Sequence, residues 1–231
     1  MKRSFNGSFA CESRNEFSPQ RGERGAARRA IASRWVFLGV LALLAAGCSG
    51  GKQGSVQISP REAADQALAE YDANKDGALD AKELEACPGM LSALKRVDKD
   101  NNGRLTADEI ADRLTLFQQH GMQSDVSVEV MLDGRPVVGA TVTLVPEKFM
   151  GQSVKPASTV TDEMGTGSLK TEGSDVQVAY GYYRVQVSKN AQGRETIPAK
   201  YNSQTVLGQE ISPDVEGRGT ANTIRLRLTS R

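Results

Sequence analysis

Apolar residues follow three different rhythms along the chain. From Trp35 to Gly47 they run without interruption and without a charge (WVFLGVLALLAAG). Between residues 59 and 121 they recur at spacings of three and four. Ala64, Ala67, Leu68 and Tyr71 share one such stripe, and Ile110, Leu114 and Phe117 share another. That period predicts short amphipathic helices. From Asp125 the rhythm becomes alternation. Val126, Val128, Val130 and Leu132 alternate with Ser127, Glu129 and Met131. Further strands are predicted at 140–145, 158–161, 167–170, 176–178, 182–187 and 222–228, with turns between them, as at Asp133-Gly134-Arg135-Pro136. About seven short strands separated by turns predict an antiparallel β-sandwich over residues 125–231.

Local signals refine the helical part. Ser59-Pro60-Arg61-Glu62 is a helix start, with Ser as N-cap, Pro at the first turn and Glu three residues after the cap. Cys87-Pro88-Gly89 marks a break, and Met90–Val97 has length for two turns of helix. Leu84, Met90, Leu91, Leu94 and Val97 are expected to supply a small core. A last helix begins near Ala107 and ends at His120, with Gly121 as its C-cap.

Charge is uneven along the 231 residues. The total, 29 Lys+Arg against 28 Asp+Glu, argues against a strongly basic nucleic-acid binder. The first 47 residues hold eight basic and three acidic side chains, which leaves 21 basic and 25 acidic from Cys48 onward, a net of −4. A basic segment followed by a short apolar run and small residues is the pattern of an export signal. A run of thirteen residues is short for a helix that must cross about 30 Å of hydrocarbon. Its end, Leu44-Ala45-Ala46-Gly47-Cys48, resembles the lipobox of bacterial lipoproteins. The resemblance implies removal of residues 1–47, acylation of Cys48 and anchoring to the cell membrane or the outer membrane. Residues 48–57 are Gly- and Ser-rich and read as a flexible tether. Of the remaining cysteines, Cys11 falls in the leader. Cys87 is alone, which leaves no intramolecular disulfide in the mature chain.

Two twelve-residue segments carry metal chemistry. The first runs from Asp72 to Glu83 and the second from Asp98 to Glu109. Oxygen-bearing side chains stand at positions 1, 3 and 5: Asp72, Asn74 and Asp76, then Asp98, Asp100 and Asn102. Gly77 and Gly103 allow a sharp turn at position 6. The carbonyls of Ala78 and Arg104 serve position 7, and Asp80 and Thr106 stand at position 9. Glu83 and Glu109 close the loops at position 12. Calcium is a hard cation that takes six to eight oxygens, and a carboxylate offering both oxygens suits it better than magnesium. Both segments resemble the EF-hand loop at each diagnostic place. The resemblance implies an EF-hand pair over residues 58–122 with two calcium sites. Leu79 and Leu105, at position 8, are placed to join the loops by a short β-bridge.

Three stretches of the β-rich part, LDGRPVVGATVTL (132–144), TDEMG (161–165) and GYYRVQV (181–187), are similar in order to elements of the carboxypeptidase-regulatory-like or transthyretin-like sandwich family. That resemblance implies adhesion, spacing or binding, rarely catalysis, and the expected partner is an envelope protein or polysaccharide; an enzyme is not expected. One histidine and no His-Glu-x-x-His argue in the same direction. Two other readings stay open at this point. One is a calcium-responsive adaptor that exposes an apolar groove; the other is a secreted hydrolase stabilised by calcium.

Overall fold

The computed structural model describes residues 58–120, 123–173, 177–214 and 222–231. These belong to one compact unit. The expectations for the leader 1–47, for Cys48, for the tether 48–57, for Gly121 and for Val176 fall outside the described residues.

The helical part opens with α1 (Pro60–Tyr71), which buries Ala63, Ala64, Ala67 and Tyr71. Ser59 occupies the N-cap but makes no side-chain cap; its carbonyl accepts the Ala63 N–H at 2.9 Å instead. Strand β1 (Ala78–Asp80) follows, then a 3-10 turn at Glu83–Ala86. Where a single helix was expected over Met90–Val97, the chain forms two single turns, α2 (Pro88–Leu91) and α3 (Leu94–Val97). Pro88 starts α2 because its ring presets the helical φ. The Ser92 hydroxyl donates to the Gly89 carbonyl at 2.7 Å, and Ala93 N–H closes a tight turn on Met90 at 2.9 Å. The chain is thereby redirected, and Val97 enters the core. Strand β2 (Arg104–Thr106) leads into α4 (Ala107–Gln119), which buries Ile110, Leu114 and Phe117 as the period predicted.

The rest is a curled, mostly antiparallel sheet. Its strands are β4 (Val126–Leu132), β5 (Arg135–Pro136), β6 (Thr141–Pro146), β7 (Ala157–Val160), β8 (Thr166–Thr171), β10 (Gly181–Ser188), β13 (Gly208–Ile211) and β14 (Asn222–Leu228). The order is β13-β10-β6-β7-β8-β4-β14, with β5 paired to β4. Small pairs β3 (Gln123–Ser124) with β9 (Val178–Ala179) and β11 (Asn190–Ala191) with β12 (Arg194–Glu195) complete it. Among the described residues one pairing is parallel: β14 lies along β4 over its full length, from Asn222↔Val126 to Leu228↔Leu132. Strand β13 lacks an alternating stretch long enough to be seen in sequence.

The helical part does not keep a core of its own. Leu84, Met90 and Val97 join Val128, Val142, Leu144 and Val185 in one continuous apolar cluster, with Leu91 and Leu94 partly buried against it. Tyr182 and Tyr183 are adjacent in β10, so their side chains point to opposite faces. Both are fully buried. The Phe117 ring of α4 stands 5.9 Å from Tyr182, so the helical part covers that face, and Phe149, in the turn after β6, packs there at 5.8 Å. Gly208 of β13 lies directly under the Pro88 carbonyl, where a Cβ would overlap backbone.

Polar groups bind the same interface. The Arg113 guanidinium of α4 meets the fully buried Glu210 of β13 at 2.8 and 3.1 Å, and Asp214 at 2.6 and 2.7 Å. Arg96 reaches Glu210 from α3 at 2.7 Å. Buried Glu147 accepts the Gly89 N–H at 3.0 Å and the Arg184 Nε–H at 3.0 Å, with the Tyr71 hydroxyl at 3.4 Å. A buried carboxylate is tolerated only when paired and hydrogen-bonded, and both of these are.

Candidate metal centre

The two loops stand side by side, joined by β1 and β2 in the register Ala78↔Thr106, Leu79↔Leu105, Asp80↔Arg104. Leu79 and Leu105 are fully buried beneath them, which is the bridge that position 8 foretold. Each loop enters from the end of a helix: Tyr71 closes α1 before Asp72, and Val97 closes α3 before Asp98. Lys75 and Asn101, at position 4 of each, adopt left-handed φ of 59° and 57°; Gly77 and Gly103 follow at 86° and 79°. Left-handed residues at positions 4 and 6 curl the chain so that its oxygens face inward, and glycine takes the more demanding of the two without a Cβ penalty.

Backbone N–H groups aim the carboxylates in the same way in both loops. Asp72 accepts from Gly77 N–H at 2.9 Å, and Asp98 from Gly103 N–H at 2.7 Å. Asn74 accepts from Asp76 N–H at 2.8 Å; Asp100 accepts from Asn102 N–H at 3.1 Å. Glu83 reaches back over its loop, with one oxygen on Ala73 N–H at 2.9 Å and the other on Asp80 N–H at 3.0 Å. Glu109 repeats this on Lys99 and Thr106, both at 2.9 Å. The two oxygens of each position-12 carboxylate are therefore spread across the loop.

Position 9 has a second task. Asp80 Oδ1 accepts the N–H groups of Lys82 and Glu83 at 2.9 Å, and so starts the 3-10 turn. Thr106 and Glu109 form a capping box at the start of α4. Glu109 thus lies on a true α-helix, whereas Glu83 lies in a 3-10 turn only four residues long.

In the second loop, ligand oxygens of Asp98, Asp100 and Glu109 lie within 4.8 Å of one another. Asp98 and Glu109 are buried and Asp100 is exposed. Three carboxylates at that separation repel one another, and a hard cation with oxygen preference relieves the repulsion. The donor set is all oxygen, so the residues present fit calcium. In the first loop, Asp76 accepts the Ala78 N–H as Asn102 accepts that of Arg104, but it has a further partner. Its carboxylate forms an ion pair with the Arg104 guanidinium, which crosses from the second loop. Desolvation works against ionisation of Asp76, but the Arg104 hydrogen bond and charge, with the Ala78 N–H, hold it below the ordinary aspartate range.

Sequence reasoning missed that ion pair, because position 7 contributes a carbonyl and its side chain carries no motif. It also missed the Arg113–Glu210 pair. One signal existed: Arg113 lies three residues after Ile110 and four before Phe117, inside the apolar stripe of α4.

A family model for the EF hand matches residues 64–88, which spans the end of α1, the first loop and the turn after it. The chain therefore contains an EF hand, and EF-hand chemistry implies calcium binding. No curated protein and no solved structure matches the chain.

Proposed function

We propose that this is a calcium-binding, lipid-anchored protein of the cell envelope, in which two calcium ions brace an EF-hand pair against a β-sandwich that serves interaction or spacing. The observation that carries the calcium reading is the matched pair of position-12 glutamates. Each is held by backbone N–H groups over a loop that the β-bridge fixes beside its twin. The interface supports a bracing rather than a sensing role. A sensor must move helices apart to uncover an apolar groove. Here Phe117, Met90 and Leu84 are already buried in the core shared with the sheet, and Arg113 ties α4 to β13. The lipid anchor rests on the Cys48 sequence pattern alone. Among the described residues no helix is long and apolar enough to cross a membrane.

A non-catalytic role is supported by two side chains. Cys87 is fully buried, and desolvation raises its thiol far above the usual range, so a thiolate nucleophile is disfavoured. His120 sits exposed at the end of α4, its Nδ1 3.0 Å from the Leu116 carbonyl.

Calorimetric titration of chelator-treated protein with calcium tests the central claim. Binding of two ions, with no rise in fluorescence of an apolar dye, is expected. Absence of binding refutes it, and a large calcium-dependent dye signal supports the adaptor reading instead. Metabolic labelling with a fatty-acid probe, lost on Cys48→Ser, tests the anchor.

A further inference from the structure

We propose that Arg104 acts as an internal counter-ion on the first loop, so that the two sites fill in order, second loop first. This rests on the calcium reading above. Composition alone points the other way. At positions 1, 3, 5 and 12 each loop offers three carboxylates: Asp72, Asp76 and Glu83 in the first, Asp98, Asp100 and Glu109 in the second. The first loop adds Asp80 at position 9 where the second has only Thr106. On charge the first site is at least the equal of the second.

The geometry reverses that ranking. Asp98, Asp100 and Glu109 already converge within 4.8 Å. In the first loop the Arg104 guanidinium holds the Asp76 carboxylate, and an ion entering there must take that carboxylate from it. Arg104 is suited to yield. Its side chain is 39% exposed, so the pair is partly screened by water. Its Nε lies enclosed without a hydrogen-bond partner among the described residues, which disfavours this rotamer. Calcium in the first loop therefore competes with a weakly held cation, whereas the trio of the second loop makes no ion pair with a basic side chain among the described residues. In the second loop Arg104 contributes its carbonyl, which a side-chain substitution keeps.

The Gly77 and Gly103 N–H groups donate to the first carboxylate of their own loops at 2.9 and 2.7 Å. Their NMR shifts report the filling of each loop separately in the full chain. During calcium titration Gly103 is expected to move before Gly77. Arg104→Gln should lower the Gly77 midpoint about two- to five-fold, the range set by an exposed ion pair, and leave that of Gly103 nearly unchanged. Lys75→Gln removes the same charge from the first loop and should shift Gly77 less. Arg104→Lys keeps a cation and should retain the delay. The proposal is overturned if Gly77 moves first or together with Gly103 in the unmodified chain. It is equally overturned if Arg104→Gln has no effect, or none beyond that of Lys75→Gln. If neither amide responds to calcium, the calcium reading itself falls.

Discussion

Glu195 shows how much one exposed side chain can organise. Its carboxylate accepts the Ser188 hydroxyl at 2.5 Å, the N–H groups of Lys189, Thr196 and Ile197 at 2.8–3.0 Å, and the Asn202 amide at 2.7 Å. Desolvation pushes its pKa up, but these donors outweigh it and bring it down to about 2 from an ordinary 4.5. A folded-state pKa below the unfolded one adds stability above pH 4.5, and that stability is lost as pH falls toward 2. Glu195→Gln should therefore flatten the decline of stability in that window, measured by urea unfolding at successive pH values. An unchanged slope would remove Glu195 from the account. Gly208 tests packing at the same scale. Gly208→Ala places a methyl against the Pro88 backbone and should cost about 1–3 kcal/mol of unfolding free energy. Arg113→Ala leaves Glu210 buried with only Arg96 for charge, and a loss of about 3 kcal/mol is expected from the breaking of a buried pair.

Among the elements, legibility followed the strength of the local signal. Helices α1 and α4 and strands β4, β6, β7, β8, β10 and β14 could be read from the period of their apolar residues, and both twelve-residue loops from the spacing of their oxygen-bearing side chains. The segment 88–97 could not. Its conformation is set by contact with β10 and β13, since the Gly89 backbone packs on Tyr183 and donates to Glu147. Nothing in ten local residues encodes that surface. Strand β13 was hidden for the complementary reason: Glu210 looks like a surface residue, and its burial depends on guanidiniums far away in sequence. The loops predict their own test. Glu109→Gln removes one charged oxygen from the converging trio and should weaken calcium binding at the second loop at least about ten-fold, roughly the worth of one charge-assisted contact. Binding at the first loop should persist in the same titration.

At the scale of the whole molecule, the shared core makes metal and sheet one thermodynamic system. A ligand that binds only the folded state stabilises it by about 2.7 kcal/mol per site at a hundred times its Kd. Because the helical part has no separate core, calcium should raise a single melting transition followed on both helix and sheet signals. Two transitions, of which only one responds, would show that the halves fold apart. The same arrangement bears on time. Ribosomes make β4 early in the sheet and β14 at its close, and the two are adjacent and parallel. The surfaces that cover α4 and α2, on β10 and β13, are also made long after those helices. A chain emerging from a ribosome therefore carries an unfinished metal module whose apolar stripe has nowhere to go until most of the sheet has followed. Completion waits for the last strand, so a protein shortened at its end should lose the calcium module's order along with the sheet's.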